Sequence, residues 1–499
     1  MASNSDSLEA TEAIRAFRDK EVAAGRWSAA LPHSYSKIPG TRLSPMFVTW
    51  QKGKARVITD HKASGLNDGI PSADAHVLYD DMRSFGQALL QAKLKHPGRQ
   101  VILWKSDVAK AFLNLPVHPI WQLRQMVTVD ELVHIIWRLV FGNRGSPKIW
   151  CAVSGLICWI SVVRLELEGT EVYMDDYFGW DFSDNLITFH NAQRPRKQVQ
   201  LLILWEHIGC PYDDKKQLSG CPLPIIGFWV DSIYGSISLP PTSITLMCEE
   251  ISTFLSYPGR QPPLSMWQHL AGYLNWSLNV IPWARPALSG MYKKMGGKVL
   301  SRAGVFLNAE VVEELTWFRD VLRSENCRGV RLIEATSWSD EEADVIVWTD
   351  ASMMGLAYVF GNSGFVYQHN ANSSSEQPRV DIFFLEMVAI MAAIHALASK
   401  PHPPARILLY TDSLDSVAVL DSLSAAQPMH NAVLMALAKI LIFSNIDLRV
   451  RHIPGSTNLR ADLLSRLLLD DFTRQFPSQS VRLFSPPRDL LPTRWRTSF

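Results

Sequence analysis

The sequence predicts an α+β multidomain chain, and three observations lead there. At roughly 150 residues per domain, 499 residues make about three domains, and a hydrophobic content of 47% gives each one a core. Short strand-like runs ending in turn signals characterise residues 44–241. Helical periodicity takes over at 242–342, and strands alternate with helices from residue 343. Charge and cysteine content narrow the class further. Lys+Arg 49 against Asp+Glu 48 leaves a formal net charge of +1, so bulk charge points to neither a nucleic-acid nor a membrane partner. The six cysteines form no Cys-x-x-Cys pair and no Cys/His cluster at zinc spacing, which argues against a disulfide scaffold or zinc knuckle and fits a reducing compartment. The N-terminus is too polar for a signal peptide, and the most apolar stretch, Cys151 to Val163, reads as too short to span a bilayer. The expectation is an intracellular protein of the cytoplasm or nucleus with no membrane partner.

Taken in order, Asp6-x-x-Glu9 reads as a capping box opening an amphipathic helix that ends near Gly25, within a lead-in of residues 1–43. Met46–Trp50 and Arg56–Thr59 surround the turn-prone Gln51-Lys52-Gly53-Lys54 and read as a hairpin with a basic tip. Val101–Lys105 runs as a strand into Ser106-Asp107. Glu171–Tyr173 runs into Met174-Asp175-Asp176, with Tyr177–Trp180 as its hairpin partner. Helices at Ser243–Leu255, Ser265–Leu278 and Glu310–Arg323 are separated by Pro/Gly breaks. A compact α/β unit follows at 343–470, with strands at Val345–Thr349, Ala357–Phe360, Phe365–Gln368, Arg406–Thr411 and Asp447–Arg451, and helices at Ile382–Ala398 and Leu459–Leu467. The tail, 471–499, reads as a basic, Pro-containing, poorly folded extension: from Phe472 onward it holds five Arg against one Asp, with four Pro.

Two groups of acids fall at strand and helix ends. Asp107 closes one strand and Asp175-Asp176 sits where a hairpin turns, so adjacent strands would bring the three carboxylates together. An isolated Asp-Asp is an ordinary turn dipeptide. Crowded carboxylates raise one another's pKa unless cations neutralise them, and two Mg²⁺ ions would suit a phosphoryl transfer. The second group is Asp350 after a strand, Glu386 early in a helix, Asp412 at another strand end, and Asp462 in the helix after 458. Singly, each is an N-cap or surface acid. Together, four such acids can hold two metals that activate water for phosphodiester hydrolysis.

The motifs carry a family resemblance. Tyr173-Met174-Asp175-Asp176 resembles the Y-x-D-D signature of reverse transcriptases, and Ser106-Asp107-Val108-Ala109-Lys110-Ala111-Phe112 resembles their earlier aspartate motif. In matching order, Phe141-Gly142-Asn143-Arg144-Gly145-Ser146-Pro147 resembles the glycine-rich motif, and Asp214-Lys215-Lys216 followed by Ile226-Gly227-Phe228 resembles the lysine and primer-gripping hairpin. Ser44-Pro45-Met46-Phe47-Val48, Lys52, Lys54, Arg56, Asp60 and Leu66-Asn67 resemble the fingers hairpin. Downstream, Thr349-Asp350-Ala351-Ser352, Leu385-Glu386, Tyr410-Thr411-Asp412-Ser413 and the run from His452-Ile453-Pro454-Gly455 through Asn458 and Ala461-Asp462 to Ser465-Arg466 resemble retrotransposon ribonuclease H. The resemblance covers about residues 44 to 470 and is to retrotransposon reverse transcriptase–ribonuclease H, DIRS-like or gypsy-like.

That resemblance implies a right-hand polymerase with palm, fingers and thumb, followed by an RNase H-like α/β domain. It assigns fingers and palm to 44–241, thumb and connection to 242–342, and nuclease to 343–470. Metal would be held by Asp107, Asp175 and Asp176 in the first half and by Asp350, Glu386, Asp412 and Asp462 in the second, as Mg²⁺, two per site, with Mn²⁺ as a substitute. Lys52, Lys54 and Arg56 would hold the incoming triphosphate, with Phe112, Phe141, Gly145, Tyr173 and Met174 around the nucleotide. Lys216, with Lys215 as rival, would protonate the departing pyrophosphate, and His452 would assist product release or proton transfer. The partners implied are an RNA template, a DNA primer, the RNA–DNA hybrid and dNTPs, with other element-encoded proteins besides. Lys110 and Phe141 depart from retroviral relatives. The rival readings are a decayed or domesticated copy that only binds nucleic acid, and a chain with one of the two activities intact.

Overall fold

The computed structural model describes residues 8–496 apart from 52, 78–81, 325–329, 333–337 and 370–379. Asp6 of the expected capping box and Lys52 lie outside the described residues. Helices and sheets are mixed throughout, and the chain divides into two compact units, Met1–Ile226 and Gly227–Phe499.

The first unit opens on helix α1 (Leu8–Ala23) and the hairpin β1 (Met46–Gln51) and β2 (Lys54–Thr59), in antiparallel register with Thr49 opposite Arg56. Helix α2 (Met82–Lys95) leads to β3 (Val101–Asp107); α3 (Ser146–Trp159) leads to β4 (Glu171–Tyr173) and β5 (Asp176–Phe182). A second hairpin, β6 (Leu186–Phe189) and β7 (Ala192–Pro195), precedes α4 (Arg196–Ile208) and the short strand β8 (Leu218–Gly220). The central sheet is antiparallel in the order β8-β3-β5-β4. It is covered on both faces. Tyr177 packs on Trp205 of α4 with centroids 5.1 Å apart, and the next residue, Phe178, points the other way onto Phe85 of α2 at 5.0 Å. That alternation is what the two-residue strand period requires.

Helix α3 corrects an expectation. It continues through a π-turn to Arg164, so the apolar helix runs 19 residues, Ser146–Arg164, and by length and composition alone it is long enough to cross a bilayer. Trp150, Ser154, Ile157 and Ser161 are nonetheless packed into this unit's core, while the apolar Ile149, Leu156, Trp159 and Val163 of the same helix are about half exposed.

The second unit contains α5 (Pro241–Leu255), α6 (Leu264–Ser277), α7 (Ser289–Met295) and α8 (Ala309–Arg323). An α/β layer follows: β9 (Val345–Ala351), β10 (Gly355–Phe360), β11 (Ser363–Gln368), α9 (Ile382–Ala398), β12 (Arg406–Thr411), α10 (Leu414–Ser422), α11 (Pro428–Ser444), β13 (Asp447–His452) and α12 (Leu459–Ser465). Helix α9 is apolar all round and nearly every side chain from Phe384 to Leu397 is buried, as a helix enclosed between a sheet and α11 must be. On the opposite face, Ala461, Leu463 and Leu464 of α12 pack on Ala357, Val359 and Val366.

The C-terminal segment is folded, contrary to the sequence expectation. Helix α13 (Leu469–Gln475) buries Phe472 completely against α12 and the sheet. Strand β14 (Ser480–Leu483) then pairs in parallel with β11, Phe365 opposite Arg482, extending the sheet to six strands in the order β13-β12-β9-β10-β11-β14. All four β14 residues are exposed. The strand docks through its backbone at a sheet edge, so its side chains, Val481 and Leu483 included, stay exposed.

Candidate active sites

The β3–β5 register sets Asp107 directly opposite Asp176, which places their Cβ atoms about 5 Å apart. Asp175 occupies the two-residue turn between β4 and β5, where Met174 takes φ +58°. That turn is fixed from two sides. The Trp150 indole N–H donates to the Met174 carbonyl at 3.0 Å, and the Val108 N–H donates to the Asp175 carbonyl at 3.1 Å. Burial, then repulsion from Asp175 and Asp107, pushes the Asp176 carboxyl up to about 6, and burial with the Asp107 charge raises Asp175 as well.

Lys216 Nζ lies 2.7 Å from Asp107 Oδ2, and this bond raises the lysine's own pKa. Its rival Lys215 is exposed, its backbone N–H donating to Asp213 Oδ1 at 3.1 Å. Buried Arg194 of β7 holds the loop by donating to the carbonyls of Gln217 at 2.7 Å and Asp214 at 3.1 Å. Gln198 of α4, fully buried, donates to the Lys105 carbonyl at 3.0 Å and so steadies β3 next to the acids.

The residues expected around the nucleotide are only partly gathered. Lys54 and Arg56 lie on the exposed edge of β2, and Arg56 is near enough to Asp175 for its charge to counter that carboxyl's upward shift. Phe112, buried, packs on the half-exposed Phe141 with centroids 5.0 Å apart. The Phe141-Gly142 pair is joined to the foot of the hairpin: the Thr59 N–H donates to the Phe141 carbonyl at 3.2 Å. Gly142 has φ +102°, and a Cβ there would sit 1.9 Å from the Thr59 carbonyl oxygen, so only glycine fits. Asn67 clamps the same loop, donating to the Gly142 carbonyl and accepting from the Arg144 N–H, both at 2.9 Å. Gly145 donates to Asn143 Oδ1 at 2.8 Å where α3 begins, Tyr173 ends β4 half-buried, and the Met174 sulfur lies 3.5 Å from Cys151 Sγ.

In the second unit, parallel strands β9 and β12 finish side by side with Trp348 opposite Tyr410. Asp350 near the end of β9, Asp412 just beyond β12, and Glu386 in the second turn of α9 offer carboxylate oxygens that all lie within 4.8 Å of one another. Among the described residues this is the one group of three or more acids, histidines or cysteines drawn so close. Burial first, then Asp350 and Asp412, pushes Glu386 up to about 9, and burial followed by the charges of Asp412 and Asp462 raises Asp350 against the Ser465 hydroxyl, which donates to it. Glu386 Oε1 accepts from the Ala351 N–H at 3.3 Å, while Oε2 is buried with no hydrogen-bond partner.

The 452–466 run supports this group more than it joins it. Asn458, buried, donates to the Thr349 carbonyl at 2.9 Å, and a Cβ on Gly455 would come within 3.0 Å of Asp412 Oδ2. Asp462 is close enough to act on Asp350, but its carboxylate is paired with Arg466 Nε at 2.6 Å, outside the triad. His452 is exposed at the end of β13, paired in register with Thr411 one residue before Asp412. Sequence reasoning missed the supporting residues Trp150, Arg194, Gln198 and Ser465. Only Ser465 had a visible signal, its place in the quoted run.

No family model matches the chain, and no curated protein matches it. Among solved structures, the chain is similar to a foamy viral protease-reverse transcriptase in complex with double-stranded DNA, at 16% identity and TM-score 0.45, covering 90% of this chain and 83% of that one. It is similar to the same kind of protein in complex with RNA/DNA hybrid, at 15% identity and TM-score 0.46, covering 89% of this chain and 54% of that one, and to a form termed dRH in complex with double-stranded DNA, at 15% identity and TM-score 0.46.

Proposed function

We propose that the chain is an RNA-directed DNA polymerase with ribonuclease H activity, encoded by a DIRS-like or gypsy-like retroelement and working in the cytoplasm or nucleus. It would copy RNA into DNA from a primer and degrade the RNA of the resulting hybrid. The observation that carries this reading is that both motif sets bring acids near one another, Asp107 facing Asp176 across two paired strands in one and Asp350, Glu386 and Asp412 converging in the other.

The donor sets are all oxygen, the like charges are buried, and Glu386 Oε2 lacks a partner, so hard divalent cations fit. Asp107, Asp175 and Asp176 would hold Mg²⁺ in the first site, and Asp350, Glu386 and Asp412, with Asp462 swung from Arg466, in the second. Mn²⁺ is the expected substitute. Bound there, the ions supply charge neutralisation for the attacking and leaving oxygens of phosphoryl transfer. The chain's own residues do the rest. Arg56 and Lys54 present cations to the triphosphate, the bidentate guanidinium fixing orientation. The Phe112–Phe141 pair forms an apolar floor that would exclude a ribose 2′-hydroxyl. Lys216, already a donor to Asp107, is placed to give a proton to the leaving pyrophosphate. In the second site Ser465 and the Ala351 N–H orient Asp350 and Glu386, and His452 stands at the rim for proton transfer or product release.

Primer extension with dNTPs on an RNA template and cleavage of an RNA–DNA hybrid, both with Mg²⁺, test the assignment on wild type, Asp175→Asn and Asp412→Asn. Each substitution should remove its own activity and spare the other. A folded wild type inactive in both assays refutes the reading in favour of a nucleic-acid-binding remnant, against which the presence of all seven acids already weighs.

A further inference from the structure

Helix α8 carries a carboxylate on its apolar stripe. Glu314 shares the buried face with Val311, Leu315 and Phe318 and is 3% exposed. Its Oε2 accepts the Gly290 N–H at 2.8 Å and its Oε1 accepts from Asn431 Nδ2 of α11 at 2.9 Å. The same Nδ2 also reaches the Pro286 carbonyl at 3.2 Å. The Asn431 amide hydrogens are thereby directed at the wall, and its Oδ1, on a residue 2% exposed, is left buried with no hydrogen-bond partner.

Glu314 and Asn431 line a cavity of about 400 Å³ between α8, α11 and the C-terminal segment from Asp489 to Arg496. Its remaining polar groups are mostly acceptors: Glu313 and Asp489, with Glu310 3.8 Å from Lys293 Nζ. Arg496 is the lining cation, and its Nε and Nη2 already donate to the Leu491 and Asp489 carbonyls. Trp317 adds an aromatic wall. These carboxylates do not converge. No three of them bring ligand oxygens within 4.8 Å of one another, whereas Mg²⁺ demands a tight shell at about 2.0–2.1 Å. A wide, partly apolar cavity whose spare groups are acceptors suits an organic cation.

We propose that this cavity binds a small primary alkylammonium ion, its ammonium group seated on Glu314 and Asn431 Oδ1 and its hydrocarbon chain along Trp317. Each carboxylate oxygen has a second lone pair free for such a donor, and the Trp317 ring offers the hydrocarbon chain apolar surface. Burial pushes the Glu314 carboxyl up to about 7, which is the condition of a carboxylate that lacks a cation. The site does not depend on the polymerase or nuclease assignment.

Titration of 1,4-diaminobutane into the full chain by isothermal calorimetry, at pH 8 and fixed ionic strength, tests the proposal. Saturable one-to-one binding is expected, weakened about tenfold by Glu314→Gln or Asn431→Ala, the effect of one charge-assisted hydrogen bond. The Asp175→Asn/Asp412→Asn double variant should bind as wild type, which separates this site from the acid clusters described above. Glu313→Lys, at an exposed position, keeps the test readable if the buried variants fail to fold, and it should abolish binding. Absence of saturable binding at millimolar diamine, or binding indifferent to Glu313→Lys, overturns the proposal, as does loss of binding in the Asp175/Asp412 double variant.

Discussion

Asp412→Asn should stabilise the metal-free chain while destroying hybrid cleavage, because the acids of the second unit are expensive to keep together without a cation. Asp412 and Asp350 offer oxygens within 4.8 Å, and two unit charges at that distance repel by about 3.5 kcal/mol at an effective dielectric near 20. Part of this is already relieved. Glu386, pushed up to about 9, is mostly neutral at pH 8, and the rim of the site is partly solvated. The expected gain is therefore about 1–2 kcal/mol, or about 2–6 °C in the melting of a unit of this size. Calorimetric or guanidinium unfolding at pH 8 in EDTA reads it directly. Added Mg²⁺ should reverse the order, because ligand-linked stabilisation reaches wild type and not the variant. Hybrid cleavage should fall by more than about 100-fold, exceeding the loss typical of residues that merely support a metal ligand. A variant less stable than wild type in EDTA refutes the reasoning, as does one that cleaves at the wild-type rate.

Three further outcomes are expected. The Glu314 pKa rises from 4.5 to about 7 in the folded chain, so its contribution is complete below about pH 4.5 and is lost as pH climbs through 7, amounting to about 3 kcal/mol; wild type should lose that much relative to Glu314→Gln between pH 5 and 8 in guanidinium unfolding, and a flat difference excludes the shift. Gly142→Ala forces a Cβ to 1.9 Å from the Thr59 carbonyl oxygen at φ +102° and should cost about 2–4 kcal/mol, seen in urea melts together with weakened primer extension. Phe472→Ala leaves a hole where a fully buried ring stood and should cost about 3–5 kcal/mol, whereas no change in the second unit's denaturation midpoint means the C-terminal segment is not docked.

What was legible in the sequence was what has a local signature. The strand ending at Asp107 and the hairpin around Asp175-Asp176 follow from short apolar runs stopped by turn residues, and α9 follows from a predominantly apolar stretch too long for a strand. What was hidden depends on contacts remote in sequence. Trp150 looks like any core aromatic until its N–H is found on Met174, and Arg194 looks like surface charge until it is found buried beneath the Lys216 loop. The tail's arginines suggested disorder because composition reports side chains, while β14 is held by main-chain pairing to β11. The apolar stretch at Cys151 seemed too short because Ser146 to Trp150 belong to the same helix.

The two acid clusters are built on different electrostatic plans, and the difference bears on how each would use a metal. In the first unit Asp107 has an internal cation, Lys216, supplied by a loop that Arg194 and Gln217 hold in place. The lysine occupies the oxygen that a metal would claim, so under the proposed function loading the site would turn it toward an arriving anion, where a proton donor to a leaving group belongs. In the second unit Arg466 is spent on Asp462 rather than on the triad. Asp350 and Glu386 consequently carry their burial, and after it the charges of their neighbours, as raised pKa values instead of ion pairs, and relief would come from a proton or a bound cation. Arg466 would thus make Asp462 the movable ligand of the four proposed. Its exposed ion pair is weak, worth at most about 1 kcal/mol, so a divalent ion held by the other three could draw Asp462 in at little cost.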